Sequence, residues 1–317
     1  MGYLTVDEID TKLDELATNA DYSGYVEVFN LNHPTEDDNH PVKCIKIGKG
    51  DLPVLLVGGI HAREWAPPDA LVNLATKMLN AYKNSRPFVD SRFEATTPDA
   101  DPDNDGVYAG RIVYEEQTFP YSEIKKIIDR LAIYIIPCVN RDGRKFSQAA
   151  NALKNRWWRT NRHNLGTVCA SGPSPAIGVD INRNFPPVWD LNEYYNPAGE
   201  NTASQATGVD ACDNSYHAPF DPATPGHIAD IYEGYHKRAT FHGNSMASEN
   251  ETKNVTELVQ EKEIKFYLDI HGFAREIYYP WGFNTNQTND KSKSFLNSTL
   301  DRSSGSGRPY NDPSYAE

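Results

Sequence analysis

Two histidines and a glutamate carry the clearest chemistry in this chain. His61 and Glu64 stand three apart in HAREW, directly after the apolar run VLLVGG at 54 to 59. A third ligand-capable side chain, His271, closes a second short apolar and aromatic run, KFYLDIH, and is followed by Gly272. Two imidazoles and one carboxylate leave one position open on a zinc ion, as in a catalytic rather than a structural site. A His-x-x-Glu pair alone is a weak signal, because four-residue coincidences are common. The distant histidine in a matching setting is what strengthens it; a strand-end histidine held only by hydrogen bonds is the plainer alternative for His271.

Two further stretches hold polar residues in dense order. NRWWRTNR at 155 to 162 sets Arg156, Arg159 and Arg162 around two tryptophans. Such a stripe suits single-stranded nucleic acid, but a net charge of −13 argues against that partner and against an anionic membrane surface. In GVDINRNF at 178 to 185, Asp180 lies between Val179 and Ile181, so on a strand it points away from both.

The elements that must position these residues are legible from periodicity. Residues 5 to 19 read as an amphipathic helix capped by Thr5, with Ile9, Leu13 and Leu16 on one face. Val26 to Asn30 and Val42 to Ile47 alternate as strands. Val54 onward reads as a buried strand that turns at Gly58-Gly59 into a helix opened by Pro67 and Pro68, which need no amide hydrogen in a first turn. Leu71, Leu74, Ala75, Met78, Leu79 and Tyr82 keep its apolar spacing. His61 and Glu64 thus fall at a strand-to-helix switch, where open α/β sheets hold ligands. Tyr121 to Arg130 reads as a helix, Leu131 to Val139 as a strand ending in the turn sequence Asn140-Arg141-Asp142-Gly143, and Ser248 to Gln260 as a helix. The fold class is α/β: a mixed, twisted sheet with helices on both faces, in one domain over 1–317.

Two segments break the periodicity. Residues 84–117 read as an acidic surface insertion; DADPDNDG at 99 to 106 has calcium-type carboxylates but lacks the terminal glutamate of an EF-hand. Residues 186–240 read as a long irregular insertion. No apolar run approaches the roughly 20 residues of a membrane span. MGYLTVDEIDTKL lacks a signal-peptide pattern, so the chain is cytoplasmic or its leader lies outside this sequence. Cys44 and Cys138 read as buried thiols and Cys169 and Cys212 as disulfide candidates. Sequons beginning at Asn250, Asn254, Asn286 and Asn297 tilt the balance toward secretion.

HAREW, NRWWRTNR, GVDINRNF and LDIHGF, in that order, resemble the zinc carboxypeptidases of the carboxypeptidase A type, over about Tyr3 to Gly282. The resemblance implies one Zn2+ per chain on His61, Glu64 and His271, with Asp180 accepting the second ring N–H of His61. It implies that Arg159 polarises the scissile carbonyl, that Arg156 serves an outer subsite, and that Asn182 and Arg183 bind the terminal carboxylate of a peptide or protein substrate. It also implies an extracellular setting, and it says nothing of oligomeric state. The family carries its general-base glutamate and a closing tyrosine well beyond the third ligand, and no residue before Glu317 has the spacing for either. The sequence therefore reads as truncated at its C-terminal end relative to the family, with apolar surface expected where further strands would pack. A truncated homologue that binds zinc or peptide ends without turnover, and a related zinc deacylase, are the alternatives; NRNF and WWRTNR argue against the second.

Overall fold

In the computed structural model, residues 2–96, 111–149, 156, 158–168, 175–186, 189, 240–272 and 277 are described. Helix α1, Val6–Thr18, begins where Thr5 and Glu8 exchange hydrogen bonds in a capping box, and it buries Val6, Ile9, Leu13 and Leu16. Strands β1 (Val26–Asn30) and β2 (Lys43–Ile47) form an antiparallel pair. Strand β3, Leu52–Gly58, runs into helix α2, Ala66–Lys83, whose two prolines occupy the first turn. Short strands β4 (Phe88–Asp90), β5 (Phe93–Thr96), β6 (Arg111–Tyr114) and β7 (Gln117–Phe119) follow, then helix α3 (Tyr121–Arg130), strand β8 (Leu131–Ile136) and helix α4 (Arg141–Gln148). Strands β9 (Asn164–Val168) and β10 (Pro175–Ile177), helix α5 (Asn250–Glu261) and strand β11 (Phe266–Ile270) complete the described elements.

Five strands form the central sheet in the order β1-β2-β8-β3-β11, antiparallel across β1, β2 and β8 and parallel across β8, β3 and β11. Alternation along each strand divides the core in two. Ile45, Ile47, Val54, Leu56, Ile133 and Ile135 face α1, α2 and α3, while Cys44, Leu55, Val57, Tyr134 and Ile136 face Val255 and Leu258 of α5. Helices therefore cover both faces. Each fully buried aliphatic side chain contributes roughly 1.5–3 kcal/mol relative to exposure, so this double layer holds the parallel strands in register. The register pairs Ile270 with Gly58 and Val57 with Ile136, which brings the carboxyl ends of the three parallel strands level. His61 and His271 both leave from that edge.

One sequence-based expectation needs correction here. Asn140 to Gly143 is not a free-standing turn but the start of α4: the Asn140 side chain accepts from the Gly143 amide, and Arg141, Asp142 and Arg144 are buried with partners. Arg141 reaches Asp10 at 2.7 Å and Arg144 reaches Asp69 at 2.8 Å, which is how a polar helix tolerates burial. On either side of residues 97–110, β4 pairs with β7 and β5 with β6 as antiparallel ladders. Residues 97–110 with the calcium-type acids, most of 186–240, and both Cys169 and Cys212 lie outside the described residues. Cys44 and Cys138 are free and buried. Asn254 is buried in α5 and exchanges hydrogen bonds with the His33 backbone at 2.7 and 2.9 Å, and Asn250 donates to the Pro34 carbonyl, so in the folded chain these two sequons serve packing. No helix among the described residues is long and apolar enough to cross a membrane. On β11, Phe266, Tyr267 and Leu268 are 57%, 41% and 41% exposed among the described residues.

Candidate metal centre

Gly59 makes the turn out of β3 possible. Its φ of +66° is left-handed, and a Cβ there would come within 2.9 Å of Pro68 and 3.2 Å of the Cys138 backbone. The chain reverses through Ile60 and delivers His61, buried, and Glu64, half-buried, to one side. Trp65 donates to the Ser147 hydroxyl at 2.8 Å, and that hydroxyl donates to the Ala62 carbonyl at 2.8 Å, strapping the loop onto α4. From β11, one residue past its last paired position, His271 comes to meet them.

The three side chains converge. His61 Nδ1 lies 2.8 Å from Glu64 Oε1, His271 Nδ1 lies 3.1 Å from Glu64 Oε2, and the two Nδ1 atoms lie 3.1 Å apart. A tetrahedral zinc with ligands near 2.0–2.1 Å spaces its donors about 3.3 Å apart, close to the separation of the two Nδ1 atoms and of each from one Glu64 oxygen. Each ring turns its other nitrogen to an aspartate: His61 Nε2 lies 3.2 Å from Asp180 Oδ1, and His271 Nε2 lies 2.9 Å from Asp269 Oδ2. An N–H at each Nε2 leaves both Nδ1 lone pairs facing the common point, the pattern that orients metal-binding imidazoles. Two lone pairs and a carboxylate at that separation repel one another without a cation between them. The donor set and its spacing therefore fit zinc.

Electrostatics agree. Burial alone would raise the Glu64 carboxyl, but the two imidazoles beside it outweigh that and hold the group well below the usual carboxylate range. Burial likewise opposes ionisation of Asp180, yet Arg159 and His61 beside it keep its pKa low. The Gly272 amide also donates to Glu64 Oε2 at 3.0 Å.

Asp180 does not sit on a strand as its alternation with Val179 and Ile181 suggests. All three residues are buried, and Asp180 caps a 3-10 turn over Ile181–Arg183 by accepting the Asn182 amide at 3.0 Å. A short carboxylate that can bond its own following backbone favours a turn over a ladder. Its other oxygen accepts Arg159 Nε at 2.9 Å, so a single buried carboxylate joins His61 to the arginine. Asn182 is exposed and Arg183 half-buried directly after it, on the same turn. Arg156 is exposed.

Three polar residues of this centre are not singled out by the sequence. Asp269 lies two residues before His271, hence on the same side of β11, and the alternation rule could have found it. Asn140 and Asn161 carry only a cap or turn signal, because their remaining side-chain partners are backbone and carboxylate groups far along the chain.

A family profile described as zinc carboxypeptidase matches residues 13–96 and 117–308, passing over the segment between. Carboxypeptidase B of Astacus astacus is 26% identical over 294 residues, covering 91% of this chain and 67% of the relative. Carboxypeptidase A2 of Mus musculus is 23% identical over 292 residues, covering 91% of this chain and 49% of the relative. The chain thus spans about half the length of the mouse protein. Bovine thrombin-activatable fibrinolysis inhibitor, solved in complex with tick carboxypeptidase inhibitor, superposes with a TM-score of 0.54 at 18% identity, over 91% of this chain and 67% of the other. Carboxypeptidase A from Helicoverpa armigera gives 0.52 at 21% identity, over 90% and 50%. At these identities the structural likeness speaks for the fold: a mixed sheet between helices.

Proposed function

Because this chain belongs to the zinc carboxypeptidase family, we propose that it holds one zinc ion through His61, Glu64 and His271 and hydrolyses the last peptide bond of peptides or proteins. The observation that carries this reading is the convergence of three side chains, the two Nδ1 atoms 3.1 Å apart and each 2.8 to 3.1 Å from one oxygen of Glu64, backed by an aspartate on each imidazole. Zinc bound there supplies Lewis-acid polarisation of the scissile carbonyl and activation of water. Arg159 would add a fixed positive charge beside the metal. With its Nε committed to Asp180, its terminal nitrogens become the donors for a developing oxyanion. Asn182 and Arg183 would grip the free carboxylate of the substrate, and a guanidinium fork suits that planar anion. That contact would confine cleavage to chain ends, since an internal peptide bond offers no carboxylate. The extracellular setting implied by the resemblance goes with this reading.

The test pairs zinc content of the purified chain with release of C-terminal residues from a mixed peptide set. One zinc per chain and stepwise release are expected, with release abolished by a chelator and lowered at least a hundredfold in Arg159→Gln, the loss typical of a removed oxyanion donor. One bound zinc with no release would replace the peptidase by a chain that binds zinc or peptide ends without turnover. Absence of zinc would sink both.

A further inference from the structure

Asn140, four residues past β8 and at the cap of α4, is fully buried, and every polar group it owns is engaged. Its amide nitrogen donates to the Gly59 carbonyl at 3.0 Å, continuing the ladder that Val139 makes to Gly58. Its side-chain Nδ2 donates to the Ile60 carbonyl at 3.0 Å and to the Thr160 carbonyl at 3.0 Å. Its Oδ1 accepts from the Gly143 amide at 2.9 Å, capping α4. One planar NH2 group therefore grips the chain one residue before His61 and one residue after Arg159. The two loops also meet directly, where Ala62 N–H donates to the Arg159 carbonyl at 3.0 Å.

We infer that Asn140 is a positioning residue whose carboxamide sets the separation between the metal ligand His61 and Arg159, a role that rests on the functional reading above. Capping α4 alone would not require asparagine, since aspartate caps as well. The bridge does require it, because only a carboxamide of this length combines the capping acceptor with two donors diverging toward the two carbonyls. Aspartate would retain the cap and set a carboxylate against two carbonyl oxygens. The socket is matched from the other side: a Cβ on Gly143 would fall 2.4 Å from Asn140 Oδ1, 2.7 Å from its Nδ2 and 2.7 Å from the Thr160 carbonyl.

Asn140→Asp therefore separates bridging from capping, and Gly143→Ala displaces the carboxamide without removing it. Zinc affinity, by competition with a chromophoric chelator, and the visible absorption of the cobalt-substituted chain report on both variants. Asn140→Asp is expected to weaken zinc binding about 10–100-fold, the range for lost support of a ligand, and to shift the cobalt bands; Gly143→Ala is expected to do the same to a smaller degree. Leu13→Ala, a core truncation in α1, should lower Tm and leave both readouts alone. Wild-type affinity and spectrum in both site variants, or equal shifts in Leu13→Ala, would overturn the inference. Should Asn140→Asp not fold, Gly143→Ala decides. Zinc binding by the unaltered chain tests the underlying reading separately, and where that chain releases residues, Asn140→Asp should lower kcat more than it raises KM.

Discussion

His61 and His163 are both imidazoles set among carboxylates, and in both clusters the ligand-capable atoms lie within 4.8 Å of one another. Their geometries differ in kind. Around His61 the donors converge, with Nδ1 atoms of two rings and both oxygens of Glu64 facing one point. Around His163 they diverge: Glu249 lies 2.9 Å from Nδ1 and Glu36 lies 2.8 Å from Nε2, on opposite edges of the ring. An imidazolium satisfies both carboxylates of that linear group with two N–H donors. Proximity of like residue types does not make a metal site; a shared focus for lone pairs does. The second cluster is a clasp. It joins the loop after β1, the segment following Arg159, and Glu249 at the start of α5, while Asn161 donates to Glu249 at 2.7 Å and to Glu251 at 3.1 Å.

Metal content offers the sharpest way to break this contrast. With zinc in excess, one ion per chain is expected; His271→Ala should weaken binding by more than about a hundredfold, exceeding the loss of an outer partner, and His163→Ala should bind as the unaltered chain does. Two ions per chain, or zinc lost on changing His163, would erase the distinction. Next in size, Asp269→Asn and Asp180→Asn should each cost about 10–100-fold in zinc affinity, read by chelator competition, because each fixes one ring's tautomer.

The clasp should answer in stability. Glu249→Gln removes the buried carboxylate and leaves His163 with one charged partner, an expected loss of about 2 kcal/mol by urea unfolding, below the buried-pair range because the ring is partly exposed. Zinc affinity should hold. Hydrogen bonds to Glu249 and Glu36 outweigh burial and push His163 up to about 10. A raised imidazole contributes stability that is fully present below its unfolded value near 6.5 and is lost as pH rises through 10. Unfolding measured at pH 6 and pH 10 should show that loss, about 1–2 kcal/mol after solvent screening, and His163→Gln should flatten it.

The smallest effect belongs to Glu251, which burial pushes up to about 8. Between its unfolded value near 4.5 and 8 the folded chain retains a proton that the unfolded chain has released, so stability falls across that window. Glu251→Gln should therefore stabilise the chain at pH 8 relative to pH 4.5, by about 1 kcal/mol or less. An unchanged pH slope in that variant would show Glu251 to be ionised in the fold.

Much of the scaffold was open to reading. Val6–Thr18 follows from its capping box and three-and-four spacing, and Tyr121–Arg130 from its amphipathic pattern, because both signals are local. The β4–β7 and β5–β6 ladders escaped because strands of three or four residues leave no clear period. Asn140 escaped because an N-cap and a turn look alike before their distant partners are known.

Residue order alone determined the two-faced strands, the helices that cover them, and which side chains own lone pairs or charges, since alternation and capping act over a few residues. Tertiary structure decided which histidine becomes part of a converging triangle and which is clasped between two acids. His61 and His271 meet across a sequence separation of 210 residues, and His61 and Asp180 across 119. Those meetings depend on the register of β11 against β3 and on buried amide bridges. Neither leaves a trace in local pattern, because the groups that satisfy each other are brought together only when the sheet closes.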